Sequence, residues 1–262
     1  GSFVHDVLEH VVREAQEQGG FAAMTDGEIS ALTERCMDNC MKTYLPQGQA
    51  AASRESYLSA RNRQEAAAVV MDVAQELRLS QFAPAAEELR FAPGGPLPPI
   101  EYRAKTGSGL LTGQIDRVDT YEADGRRYFR IIDYKTGHKD FDYAELLYGK
   151  NLQMLLYLFA LESYQRRAGT PMQPAGVLYV PGRCDMVKLK PGEDPAQADA
   201  ERQKDLRRKG LLLNDEAVLH AMEAYEKKPQ YLPFAPGPDG LIGDLASPAQ
   251  LAELERFVNG QV

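Results

Sequence analysis

Apolar residues recur at helical spacing almost from the start of the chain. Phe3, Val4, Val7, Leu8, Val11 and Val12 fall on one side, with charge on the other, which predicts an amphipathic helix over 3–18. A second helical region is expected over 26–44. After the polar stretch 46–53, the alanine-rich segment 54–79 reads as one long helix that ends before Pro84. The first third of the chain is therefore predicted to be helical.

The pattern changes after Pro84. Segments 88–91, 102–105, 110–121 and 128–134 are short and are broken by Gly94-Gly95, Gly107-Ser108-Gly109 and Asp124-Gly125. This is the signature of an antiparallel meander, with Asp124-Gly125 as a hairpin turn. A helix rich in Leu and Tyr follows over 143–168, then strands at 175–180 and near 186–189. A charged stretch over 191–205 reads as a solvated excursion, and 215–227 as a helix. The Pro- and Gly-rich piece 229–243 reads as an extended loop, and a closing helix starts near Ser247 and Pro248, where Ser can cap and Pro can take the first turn. The sum is an α/β fold: one domain over 1–262, with a mainly helical N-terminal region over 1–83, a sheet core over 84–190 and a C-terminal helical extension over 191–262.

Composition narrows the function classes. With 262 residues, 44% of them hydrophobic, the chain can bury a proper core. Its longest apolar runs, 152–161 and 210–213, fall far short of the about 20 residues a membrane span needs, so a soluble, cytoplasmic chain is expected. Three cysteines make an odd count and do not suggest a paired framework. Cys36 and Cys40 share a helix face, but structural zinc asks for four ligands, so both are read as packing residues. A net charge of -8 argues against coating of nucleic acid by bulk electrostatics, though not against a local basic path such as Arg202, Lys204, Arg207, Arg208 and Lys209.

The chemistry concentrates in two segments. Gly113-Gln114-Ile115-Asp116-Arg117-Val118-Asp119 is followed by Ile131-Ile132-Asp133-Tyr134-Lys135-Thr136-Gly137. An Asp on one strand and an Asp-x-Lys on the next strand of a hairpin gather two carboxylates and an ammonium around one point, an arrangement suited to phosphodiester cleavage. Hard divalent cations prefer oxygen ligands, and a lysine beside them lies close to the water and the scissile phosphate. A lone Asp-x-Lys is otherwise ordinary surface charge, and a lone His5 an ordinary helix-start histidine. Arg117 and Asp119 read as a structural pair, His138 and Lys139 as candidate phosphate contacts, and His10 and His220 as surface residues.

These residues stand in a wider order. Gly1-Ser2-Phe3-Val4-His5 leads into Leu8-Glu9; the two segments above follow; then Gln153 and Tyr157 stand four apart on a helix. In this the sequence resembles the PD-(D/E)XK nucleases, in particular the nuclease domain of bacterial recombination helicase-nucleases. Arg207-Arg208-Lys209-Gly210-Leu211 with Asn214-Asp215 is similar to the group formed by the B subunits of the AddAB type. The resemblance implies a restriction-endonuclease-like core, a mixed sheet flanked by helices. It implies that His5, Asp116, Asp133 and the backbone carbonyl of Tyr134 ligate Mg²⁺, for which Mn²⁺ can substitute. Lys135 would activate or orient the attacking water and stabilise developing charge. Glu88 would support the metal site, a role its neighbour Glu87 could equally fill, and Gln153 and Tyr157 would reach either the DNA strand or the lysine.

The same resemblance implies a partner set: DNA, mainly single-stranded, the A subunit of the helicase-nuclease and the rest of the B subunit, in repair of double-strand breaks by recombination. That group holds an iron–sulfur cluster with one Cys before the His motif and three near its end. Neither set occurs here, so the cluster is expected in a full-length protein and not in this chain. No Gly-x-x-x-x-Gly-Lys-Ser/Thr loop occurs either, so any motor lies elsewhere. Two other readings stand beside this one. A stand-alone exonuclease would use the same site. An inactive DNA-binding or scaffold module would be expected to lose a carboxylate or the lysine, and all are retained.

Overall fold

The computed structural model describes residues 3–44, 53–104, 107–137, 152–183 and 203–261. Two compact units account for them. The first takes the chain up to Leu79 together with 134–137, 181–183 and 203–207; the second takes 80–133, 152–180 and 208–261.

The first unit is built on three helices, α1 (Phe3–Glu17), α2 (Asp26–Tyr44) and α3 (Ser53–Arg78), each packed on the other two. The apolar stripe of α1 is the reason: Val7, Leu8, Val11, Val12 and Ala15 are fully buried, against Ile29 and Met37 of α2 and Val69, Val73 and Ala74 of α3 among the same core. α2 starts at a capping box, in which the Thr25 N–H donates to Glu28 Oε2 at 2.8 Å and the Glu28 N–H donates to Thr25 Oγ1 at 3.3 Å. Arg78, at the end of α3, ties that helix back by donating to the carbonyls of Phe21 and Met24 at 3.2 and 2.6 Å. Cys36 and Cys40 are buried free thiols, as their reading as packing residues expected. Burial, and then the Glu14 carboxylate, push the Cys36 thiol up to about 12. Cys184, like His138 and Lys139, lies outside the described residues.

The second unit carries the sheet, in the order β1 (Ala83–Phe91), β4 (Gly113–Ala123), β5 (Arg126–Lys135), β6 (Gln173–Pro181), β7 (Lys209–Leu213), β10 (Leu245–Ala246). β1, β4 and β5 run antiparallel, β6 and β7 likewise, and β7 with β10 parallel, so the sheet is mixed as expected. The simple meander is not what forms. β2 (Ile100–Ala104) and β3 (Gly107–Leu111) make a hairpin of their own, and β1 pairs past them with β4. The apolar run expected as one strand over 110–121 is therefore split at Thr112, its two halves serving different sheets. Asp124 and Gly125, both at positive φ (52° and 71°), make the tight turn between β4 and β5.

The C-terminal region is less helical than its composition suggests. β7 joins the main sheet, and β8 (Phe234–Gly237) and β9 (Gly240–Gly243) form a hairpin where a loop was expected. A short apolar run such as 210–213 carries no period that separates strand from helix. The helix expected over 215–227 is shorter, α5 (Glu216–Met222), capped by Asp215, which accepts from the Val218 N–H at 3.2 Å. It stops because Glu223 turns extended and its buried carboxylate accepts from the N–H groups of Tyr231 and Leu232 at 3.0 and 3.1 Å. α6 (Pro248–Gln261) opens on the expected Ser247 cap, with a reciprocal bond from the Ser247 N–H to Gln250 at 2.8 Å. α4 (Leu152–Arg167) packs on α6 and buries most of Met154 to Leu161. No helix among the described residues is long and apolar enough to cross a membrane.

Candidate active site

β4 is the strand on which everything polar in the second unit is hung. Its odd positions carry a buried ion cluster. Asp119 accepts from Arg117 Nε at 2.7 Å and Nη2 at 2.9 Å, and from Arg130 Nε of β5 at 2.9 Å, with all three side chains at most 1% exposed. The Arg130 guanidinium also lies 5.3 Å from the centre of the Phe82 ring. Arg117 and Asp119 are thus the structural pair expected, with Arg130 as a third member.

The even positions carry the candidate chemistry. On the β5 side, Arg117 pairs with Ile132, and one step further along the same antiparallel register Asp116 stands opposite Asp133. On the β1 side, Glu87 pairs with Arg117 and Leu89 with Ile115, which leaves Glu88 opposite Asp116. Opposed residues on antiparallel strands have Cβ atoms about 4.5–5.5 Å apart. Three acids therefore lie across three neighbouring strands in the order Glu88, Asp116, Asp133. The register separates the two glutamates that the sequence left equivalent: Glu88 is level with Asp116, and Glu87 with the buried Arg117. Glu88 is also one of two non-glycine residues at positive φ among the described residues (51°), a conformation that costs energy and recurs where a side chain must be aimed.

A pair of opposed aspartates is an oxygen-only donor set that fits a hard cation. Among the described residues no three His, Cys, Asp or Glu side chains converge into one cage, so the sheet itself offers the Asp116–Asp133 pair with Glu88 alongside. Beyond Asp133, Tyr134 and Lys135 end β5 and belong to the first unit. There the Tyr134 ring lies 6.0 Å from that of His5, and the Lys135 carbonyl accepts from the Gly182 N–H at 2.8 Å.

Gln153 and Tyr157 stand on α4 and are joined, the Gln153 carboxamide to the Tyr157 hydroxyl at 2.8 Å. Gln153 is exposed and Tyr157 buried, its ring stacked on Phe91 at 5.5 Å and its hydroxyl against Gly113. The direct bond to Lys135 that the sequence left open for this pair is not among their described contacts. Two participants escaped the sequence reading. Phe91 was seen only as a strand residue. Tyr179 of β6 keeps its hydroxyl proton up to about 12, through burial first and then the negative charge of Asp133; its place beside Asp133 follows from the strand order β5–β6, which no local motif encodes.

Comparison with known proteins agrees with this geometry. Residues 1–239 match the family model of the PD-(D/E)XK nuclease superfamily. The chain is similar to proteins named as the B subunit of an ATP-dependent helicase/deoxyribonuclease. It is 30% identical to that of Acetivibrio thermocellus over 97% of this chain, and 31% identical to that of Clostridium acetobutylicum over 93%. The protein of Geobacillus thermodenitrificans is 28% identical over 98% of the chain. The chain spans under a quarter of these curated relatives, 23%, 21% and 22% of their lengths respectively. With the family model covering most of the chain and its acids meeting across neighbouring strands, the chain belongs to the PD-(D/E)XK nuclease superfamily.

Proposed function

We propose that residues 1–262 act as the nuclease domain in the B subunit of an ATP-dependent helicase/deoxyribonuclease, a Mg²⁺-dependent exonuclease on single strands in recombinational repair of double-strand breaks. The observation that carries this is the opposition of Asp116 and Asp133 on adjacent strands, with Lys135 two residues on. Asp116 and Asp133 would hold the cation, with the Tyr134 carbonyl and His5 as the further ligands that the motif supplies. When bound, that cation polarises the phosphate and lowers the cost of presenting hydroxide. Lys135 orients the attacking water and stabilises the charge that gathers on the phosphate oxygens as the new O–P bond forms and the bridging P–O bond breaks. Glu88 supports the Asp116 side of the row. The partners on this reading are single-stranded DNA, the A subunit of the assembly and the remainder of the B subunit, while any iron–sulfur cluster belongs to the longer protein.

The test is cleavage of labelled single-stranded and duplex DNA with Mg²⁺ or Mn²⁺, by the chain and by its Lys135→Ala variant. Preferential degradation of single strands, lost in the variant, is the expected result. Binding should weaken steeply with salt, as phosphate contacts do. Full activity in Lys135→Ala would remove the assignment, equal cleavage of intact duplex would favour a stand-alone exonuclease, and binding without cleavage would indicate an inactive module.

A further inference from the structure

Gly113 opens β4, and the space where its side chain would be is taken by Tyr157. A Cβ at this position would overlap the Tyr157 hydroxyl and lie 2.5 Å from Cζ and 2.9 Å from Cε1. The nearest atoms all belong to a buried ring that cannot swing aside, because Phe91, the partner of Gly113 in the β1–β4 register, stacks on it. Phe91 is thus the wall of the seat and the bare Gly113 its floor. Once seated, the Tyr157 hydroxyl holds the carboxamide of Gln153, one turn earlier on α4 and exposed to solvent. The missing side chain on a strand therefore sets where an exposed amide on a helix stands.

We propose that Gly113 is a positioning residue of the nuclease, seating Tyr157 and through it aiming Gln153 at the bound DNA strand. This rests on the nuclease reading above. Gly113 is three residues from Asp116, about 10 Å along an extended strand. It also lies on the odd face of β4, opposite to that of Asp116. The Gln153–Tyr157 pair is therefore placed to grip a nucleotide beside the scissile phosphate rather than the phosphate itself. Its loss should weaken strand binding and leave bond cleavage largely intact.

The test is a double-mutant cycle on the chain, read in two ways: fluorescence anisotropy of a labelled oligonucleotide without added metal, and steady-state cleavage. Gly113→Ala should raise Kd and KM by about tenfold with kcat within about twofold, and should add less than about twofold to Tyr157→Ala. An equal cost in both backgrounds, or a fall in kcat at unchanged KM, would overturn the proposal. Should Gly113→Ala fail to fold in thermal melting, Tyr157→Phe takes its place, since it removes only the hydroxyl. Tyr157→Phe should then match Gln153→Ala in Kd, with no further loss when the two are combined, and additive losses would overturn the seat. The binding arm needs no catalysis. Coupled binding without cleavage supports the seat while removing the nuclease reading, and cleavage without coupling does the reverse.

Discussion

Strand β4 builds two polar clusters from alternate positions, and they follow opposite electrostatic rules. On the odd side Asp119 sits between Arg117 and Arg130, buried and held by bonds of 2.7 to 2.9 Å. On the even side Asp116 stands between Glu88 and Asp133, half-buried, with acids on both flanks. The first cluster assembles opposite charges where water is absent and is complete within the protein. The second assembles like charges, which are destabilising when directly opposed on neighbouring strands, and its chemistry calls for a cation. Alternation along one strand thus keeps the structural ions and the reactive ions on separate faces, so that each can be altered without the other.

The largest expected effect belongs to the structural cluster. Asp119→Ala would leave Arg117 and Arg130 buried around a missing carboxylate, and removal of one partner of a buried ion cluster costs about 3–5 kcal/mol. Chemical denaturation should show that loss. Asp116→Ala, Asp133→Ala and Lys135→Ala should instead fall in activity by on the order of 10²–10³-fold or more while melting close to the parent. An Asp119→Ala variant as stable as the parent would break this division of labour, and so would active-site variants that lose their activity only by unfolding.

The division was partly legible beforehand. The acids, the lysine and the Gln153–Tyr157 pair are read from local strings, because each motif spans only a few residues of one strand or one helix turn. Arg117 and Asp119 were legible as a pair for the same reason, two positions apart on one face. What needed the structure was everything set by pairing between distant segments. Glu88 could not be separated from Glu87 until the β1–β4 register set one level with Asp116 and the other with Arg117. Arg130 joined the buried cluster, and Tyr179 came beside Asp133, only through strand order. The helical extension expected at the C-terminus turned partly into strands, since β7, at five residues, owes its conformation to β6 rather than to its own pattern.

A smaller effect separates aim from charge at Glu88. Its backbone is in the left-handed region (φ 51°), which costs a side-chain-bearing residue about 1–2 kcal/mol and glycine little. Glu88→Gly should therefore be more stable than Glu88→Ala by roughly that margin, although both lose the carboxylate and with it the same share of activity. Equal melting of the two variants would show that the turned backbone carries no strain; unequal activity would show that the turn, and not only the acid, serves the site.

The smallest effect tests the like-charge row directly. Asp116→Asn removes the central charge from between Glu88 and Asp133 while keeping the shape of the side chain. Without divalent cation, relief of opposed like charges is worth about 0.2–1 kcal/mol, so the variant should melt at or slightly above the parent. Adding Mn²⁺ should reverse the order, because an ion that binds only the folded state stabilises the parent in proportion to its occupancy and finds the variant short of a ligand. The same titration on Asp119→Asn should show the parent ahead at every cation concentration, since that face has no use for the ion. If Asp116→Asn melted below the parent in a chelator, the row would already be neutralised by the protein's own groups, and the two faces of β4 would differ in accessibility rather than in the sign of their electrostatics.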